Sequence, residues 1–145
     1  RTIIMIRKLQ KADINRVADI WLDTNLKSHS FIPAKYWKDN FELVKGMLSQ
    51  AEVYIYENNQ KIYGFIGLND EYIEGIFVSD EMQSQCIGKI LINYVKDKRK
   101  KLFLNVYQKN TRAISFYQRE DFKIRCSGID DATGEKDYLM TWQQK

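Results

Sequence analysis

Three residues late in the chain, Asn110, Ala113 and Tyr117, are spaced so that one helix carries all of them along a single stripe. Asn110 suits the N-cap of that helix, where its side chain would accept an amide of the first turn. The Tyr117 hydroxyl then has two readings, a proton donor facing a ligand or the polar tip of a core aromatic. Earlier, Ile73-Glu74-Gly75-Ile76-Phe77-Val78 reads as an apolar strand, Ser79 to Cys86 as a polar loop, and Ile87-Gly88-Lys89-Ile90-Leu91-Ile92 as the opening of a helix. The first turn of a helix leaves its amides without partners and carries partial positive charge. Residues 83–89 should therefore cradle an anion such as a phosphate or pyrophosphate.

The elements that must position these groups follow from periodicity. Ile3 to Leu9 predicts a first strand, and Ile14, Val17, Ala18, Trp21 and Leu22 the apolar face of a helix ending near Asn25 or Leu26. A loop over 28–33 follows, and Pro33 suits the first turn of a second helix carrying Tyr36, Trp37, Phe41, Val44, Met47 and Leu48. Val53 to Glu57 and Lys61 to Leu68 pair as a hairpin through Asn58-Asn59-Gln60, and Tyr72 to Val78 continues the meander. After the helix from Ile87, Leu102 to Tyr107 is a fifth strand, parallel to the fourth through a crossover. The helix opened by Asn110 runs to about Glu120, and residues 122–128 and 136–142 close a mixed seven-stranded sheet flanked by four helices, an α/β fold.

Gln83-Ser84-Gln85-Cys86-Ile87-Gly88 resembles the pyrophosphate loop of the GCN5-related N-acetyltransferases (GNAT), with Cys86 standing where the motif has its first Gly. Asn110-Thr111-Arg112-Ala113-Ile114-Ser115-Phe116-Tyr117 is similar to the family's second signature, and the element order resembles the family layout over nearly the whole chain. The resemblance implies the acyl-CoA N-acyltransferase (GNAT) fold with a splayed sheet, and acetyl-CoA as cosubstrate. It implies that the backbones of Phe77 and Val78 pair with the pantetheine arm, and that Gln83, Ser84, Gln85, Cys86, Ile87, Gly88 and Lys89 hold the pyrophosphate. Asn110, Ala113, Phe116 and Tyr117 would face the cofactor, with Tyr117 as general acid for the departing thiolate. Glu74, four residues before Val78 and so expected on the same strand face, is the candidate base for the incoming amine, or else a solvated carboxylate.

His29, the chain's only histidine, could act as base or acceptor contact. His29-Ser30-Phe31-Ile32 and Tyr36-Trp37 resemble a bacterial subgroup of the family in which this region borders the acceptor, so His29, Phe31 and Tyr36 are the expected acceptor contacts. The implied reaction is direct attack of a primary amine on the thioester, without an acyl-enzyme. By the subgroup resemblance the acceptor is a protein lysine or N-terminal amine. A small amine such as a polyamine or aminoglycoside, and a CoA-binding regulatory module without turnover, are the readings left open.

Composition bounds the rest. The 145 residues, 44% hydrophobic and 29% charged with one Pro and seven Gly, suit one N-acetyltransferase domain over 1–145 without linkers or low-complexity stretches. Two cysteines and one histidine are too few for a disulfide framework or structural zinc, so no metal is expected. No apolar run reaches the ~20 residues of a membrane span and no signal-peptide pattern opens the chain, which points to the cytoplasm and away from membrane partners. The net charge of +4 could favour nucleic acid, a membrane surface or an anionic cofactor, but reads first as many surface lysines, and without a helix-turn-helix, zinc-finger or RNA-stacking pattern nucleic acid is not an expected partner. The partner is then an amine acceptor, met by a monomer or homodimer. Met5 suits a natural start, with Arg1 to Ile4 either a cloning remnant or an upstream extension.

Overall fold

Alternation of side chains organises the sheet. In the strand Glu52–Asn58 (β2), Tyr54 and Tyr56 turn to one side and Val53 and Ile55 to the other, so both faces are buried. The computed structural model describes residues 3–82 and 86–145. With β1 (Ile4–Lys8), β3 (Lys61–Asn69), β4 (Tyr72–Val78), β5 (Lys101–Tyr107), β6 (Lys123–Ile129) and β7 (Lys136–Gln143), β2 forms one sheet in the order β1-β2-β3-β4-β5-β7-β6. All neighbours run antiparallel except β4 and β5, which are parallel as the crossover requires. Asn59 and Gln60, at φ 52° and 71°, make the two-residue turn of the β2–β3 hairpin.

Helices cover both faces. α1 (Ile14–Ser28) and α3 (Phe41–Leu48) pack Val17, Ala18, Ile20 and Leu48 against Val53, Ile55, Ile62 and Phe65. On the other face α4 (Ile87–Lys96) and α5 (Thr111–Arg119) bury Ile87, Leu91, Ile92, Val95, Ile114 and Tyr117 against Ile66, Leu68, Leu102, Leu104 and Met140. The described residues hold five α-helices rather than the four expected, because the second predicted helix divides into α2 (Ala34–Asp39) and α3 at Asn40. Asn40 Nδ2 donates to the Tyr36 carbonyl at 2.7 Å, taking the acceptor that its own backbone N–H would use in a continuous helix. Among the described residues no helix is long and apolar enough to cross a membrane.

Two features of β4 shape everything near the site. The register with β3 shifts between Gly67 and Leu68, which oppose Gly75 and Ile73, so Glu74 is the extra residue of a β-bulge. Val78 packs into the cluster under α4, whereas Glu74 turns toward Val53 on the α1 side, its Cβ 3.7 Å from where a Cβ on Gly67 would stand. The expectation that Glu74 and Val78 share a strand face is therefore wrong, since an extra residue inverts the alternation. The second feature is the β4–β5 pairing, which is in register only at Tyr72 and Phe103 among the described residues. The Phe103 N–H donates to the Glu71 carbonyl at 3.0 Å, and Tyr72 Oη donates to Asn105 Oδ1 at 3.0 Å. Beyond that point the two strands part.

Gly64 on β3 sits under this opening. A methyl there would lie 3.0 Å from the Phe77 carbonyl oxygen and 3.1 Å from Ile87 Cγ2. Gly64→Ala should cost about 1–3 kcal/mol, lowering Tm by roughly 3–10 °C in a chain of this size. Calorimetry checks it, and an unchanged Tm would contradict the packing described.

Candidate active site

The parted strands open a cleft of about 780 Å³ walled by Ile76, Phe77 and Val78 of β4, by Cys86 to Lys89 at the start of α4, and by Asn110, Ala113, Phe116 and Tyr117 of α5. Cys86 precedes α4 at φ 61°, ψ 20°, a left-handed conformation that costs a side chain on the order of 1 kcal/mol. The Ile90 N–H donates to the Cys86 carbonyl at 3.0 Å, so the amides of Ile87, Gly88 and Lys89 precede the first helical bond. Gly88 has a packing role too, because the Phe116 ring lies 3.2 Å from where its Cβ would stand. Gln83, Ser84 and Gln85 lie outside the described residues. Lys89, Arg112 and Arg119 make the cleft wall basic, with Glu120 the one carboxylate among its described lining residues. Helix-terminal amides and three cations fit the phosphates of a CoA molecule.

Both cysteines are exposed, and only Cys86 lines the cleft. Saturating acetyl-CoA should slow alkylation of Cys86 at least tenfold while Cys126, on the distant edge strand β6, serves as an unprotected control. Peptide mapping of a thiol label measures both, and equal labelling of Cys86 with and without acetyl-CoA would contradict the cradle.

α5 presents Tyr117. Asn110 caps the helix, its Oδ1 accepting the Ala113 N–H at 3.2 Å, and Asp121 ends it in the left-handed conformation at φ 71° while the Phe122 N–H returns to the Tyr117 carbonyl at 2.9 Å. Tyr117 is 8% exposed, rests edge-on against Phe116 and against Phe122, and borders the cleft. Its hydroxyl has no hydrogen-bond partner among the described residues. Burial, with Tyr72 nearby, pushes it above the usual tyrosine range, so it stays protonated at neutral pH.

His29 follows the last residue of α1 and faces the same cleft. Its Nδ1 lies 2.8 Å from Asn25 Oδ1 and its Nε2 3.1 Å from Asn110 Nδ2. The ring stacks on Trp37 and meets the edges of Phe31 and Tyr107. Burial pushes it down to about 4 from the ordinary 6.5. The folded state thus keeps the ring neutral while the unfolded chain takes up a proton below pH 6.5. Its contribution is full above that value and is lost as pH falls toward 4, on the order of 2–3 kcal/mol in all. Denaturant titrations at pH 7 and pH 4.5 should show a larger loss in the natural protein than in His29→Phe, and equal losses would contradict this.

Phe31 and Tyr36 stand beside the cleft rather than in its wall. Phe31 meets the edge of Tyr107, whose Oη donates to Asp130 Oδ2 at 2.5 Å, and Tyr36 packs edge-on against Trp37. A second groove of about 600 Å³ opens on the α1–α3 side, walled by Trp21, Val44, Met47, Leu48 and Phe65, with Glu52, Asp70 and Glu74 around it. Glu74 is exposed there, away from Tyr117. Phe77 lines both cleft and groove, and its ring folds back to within 2.5 Å of where a Cβ on Gly75 would be. Sequence reasoning missed the groove and the role of Asn25. The spacing of Asn25 and His29, four apart across the end of α1, is the signal that could have found the latter.

A mixed sheet parted at its parallel pair, with a helix N-terminus, three cations and a buried tyrosine facing the split, is a site for an anionic ligand. The family model for the acetyltransferase (GNAT) domain matches residues 49–124. The chain is 34% identical over 140 residues to the peptidyl-lysine N-acetyltransferase YiaC of Escherichia coli strain K12, covering 95% of this chain and 96% of that protein. Its fold is similar to the solution structure of apo-form YjaB from Escherichia coli, with a TM-score of 0.87 at 21% identity, covering 99% of each chain. It is also similar to the PaiA N-acetyltransferase from Thermoplasma acidophilum, solved in complex with coenzyme A, with a TM-score of 0.81 at 17% identity over 97% of this chain and 99% of that one. The chain belongs to the GCN5-related N-acetyltransferase family, and it is an N-acetyltransferase with acetyl-CoA as its cosubstrate.

Proposed function

We propose that this enzyme acetylates lysine side chains of proteins as a single domain working in the cytoplasm, by direct attack of the amine. The observation that carries the reading is that a basic cleft at the split between β4 and β5 and an acidic groove on the α1–α3 side share one wall at Phe77. The cleft suits an anionic cosubstrate and the groove a cationic acceptor. Apolar walls at Trp21, Val44, Leu48 and Phe65 match a lysine's aliphatic stem, and Glu52, Asp70 and Glu74 match its ammonium. The curated relative YiaC, a peptidyl-lysine N-acetyltransferase by name, supports the same class of acceptor.

Bound acetyl-CoA supplies a thioester whose acetyl group passes to the amine and whose thiol leaves. The amides at the start of α4, with Lys89 and Arg112, hold its phosphates, and the backbone of β4 at Phe77 and Val78 pairs with its arm. Tyr117 Oη, protonated and facing the cleft, is the general acid that gives its proton to the leaving sulfur. Glu74, on the groove side of the bulge, takes the proton of the incoming ammonium, directly or through water.

Tyr117→Phe should lower kcat by about 10²-fold or more with acetyl-CoA affinity within twofold. Glu74→Gln should lower kcat/KM for a lysine peptide roughly tenfold. Thiol release measured with a lysine-bearing peptide, its N-terminally acetylated form and spermidine identifies the acceptor. Turnover confined to spermidine would contradict the protein-lysine reading, and full activity in Tyr117→Phe would contradict the assigned acid.

A further inference from the structure

A chain of hydrogen bonds crosses from α1 to α5, and its directions are fixed from both ends. Asn25 Nδ2 donates to the Trp21 carbonyl at 2.9 Å, which leaves Asn25 Oδ1 to accept. The Ala113 N–H donates to Asn110 Oδ1 at 3.2 Å, which leaves Asn110 Nδ2 to donate. His29 stands between them, with an acceptor 2.8 Å from Nδ1 and a donor 3.1 Å from Nε2. Only the neutral ring carrying its proton on Nδ1 satisfies both neighbours. Stacking on Trp37 and edge contacts with Phe31 and Tyr107 fix the ring plane, and Asn25 is 3% exposed.

The place of this chain in the fold gives it its consequence. β4 and β5 are joined in register at Tyr72 and Phe103, so the two parts of the sheet meet at one end and diverge at the other. The His29–Asn110 hydrogen bond, between residues 81 apart in sequence, spans the divergent end. Asn110 is also the cap of the helix that carries Tyr117. We propose that His29 is a positioning residue: as the Nδ1–H tautomer it ties the end of α1 to the cap of α5 across the cleft, and so sets the angle at which α5 presents Tyr117. Both ring nitrogens are engaged in this tie, which leaves neither to take a proton from an acceptor amine. This role replaces the acceptor contact read from the sequence, and it rests on the assignment of Tyr117 as the acid.

Long-range ¹H–¹⁵N NMR of the natural protein at pH 7 reads the tautomer directly, because a single histidine gives a single pattern. The expected pattern is Nδ1–H with an unprotonated Nε2; an Nε2–H tautomer or a protonated ring would overturn the proposal. His29→Phe keeps the aromatic packing and removes both hydrogen bonds. It should lower kcat and acetyl-CoA affinity by roughly tenfold with acceptor KM within twofold, and His29→Gln, which can both donate and accept, should recover part of the loss. A rise in acceptor KM with kcat and acetyl-CoA affinity unchanged would overturn the tie in favour of a direct acceptor contact. Absence of turnover in the natural protein would bring down the proposed function instead, while the tautomer and the calorimetric affinity of His29→Phe for acetyl-CoA would still decide the tie.

Discussion

The structure depends on one constraint, that among the described residues the one parallel pair in the sheet is held in register at a single place, Tyr72 with Phe103. A parallel connection cannot be a tight turn, so the chain must leave β4, cross a face of the sheet and return as β5. That crossover is α4, and its N-terminus comes to the mouth of the split because β4 ends there. α5 and its tyrosine follow directly from β5 on the other side. The same divergence that weakens the sheet creates the site, and packing of Ile87, Leu91 and Ile92 beneath it keeps the opening from closing.

Electrostatics divide the molecule along the same line. Lys89, Arg112 and Arg119 border the cleft, whereas Glu52, Asp70 and Glu74 border the groove on the α1–α3 side. Glu52 is held by Arg99 at 2.6 Å and by the Tyr54 hydroxyl at 2.5 Å, which leaves Glu74 the more accessible carboxylate. Phe77 lines both. Of the non-glycine residues with positive φ, Cys86 is the one that lines the cleft, at the entry to α4.

Most of the fold was legible because it follows from local patterns. The seven strands, the hairpin turn and the Asn110 cap all rest on periodicity or on one residue's chemistry. The break at Asn40 was missed because the apolar stripe continues through it from Trp37 to Val44, while the hydrogen bond that divides the helix is made by a side chain. Glu74 was set on the wrong face because a bulge is a property of two strands and leaves no mark in the sequence of one. That Asn110, Ala113 and Tyr117 would lie along one side of a helix was legible from their spacing, and all three border the cleft. The partnership of His29 with Asn110 was not, because it joins residues 81 apart through the tertiary fold.

Isothermal titration of the protein with acetyl-CoA, with CoA as comparison and ATP and NADH as controls, tests the central claim most directly. The split sheet, the basic cleft and the helix N-terminus predict saturable binding of acetyl-CoA and CoA near one to one, and none of comparable strength with the controls. No binding of acetyl-CoA, or equal binding of all four, would contradict a cleft built for this cosubstrate.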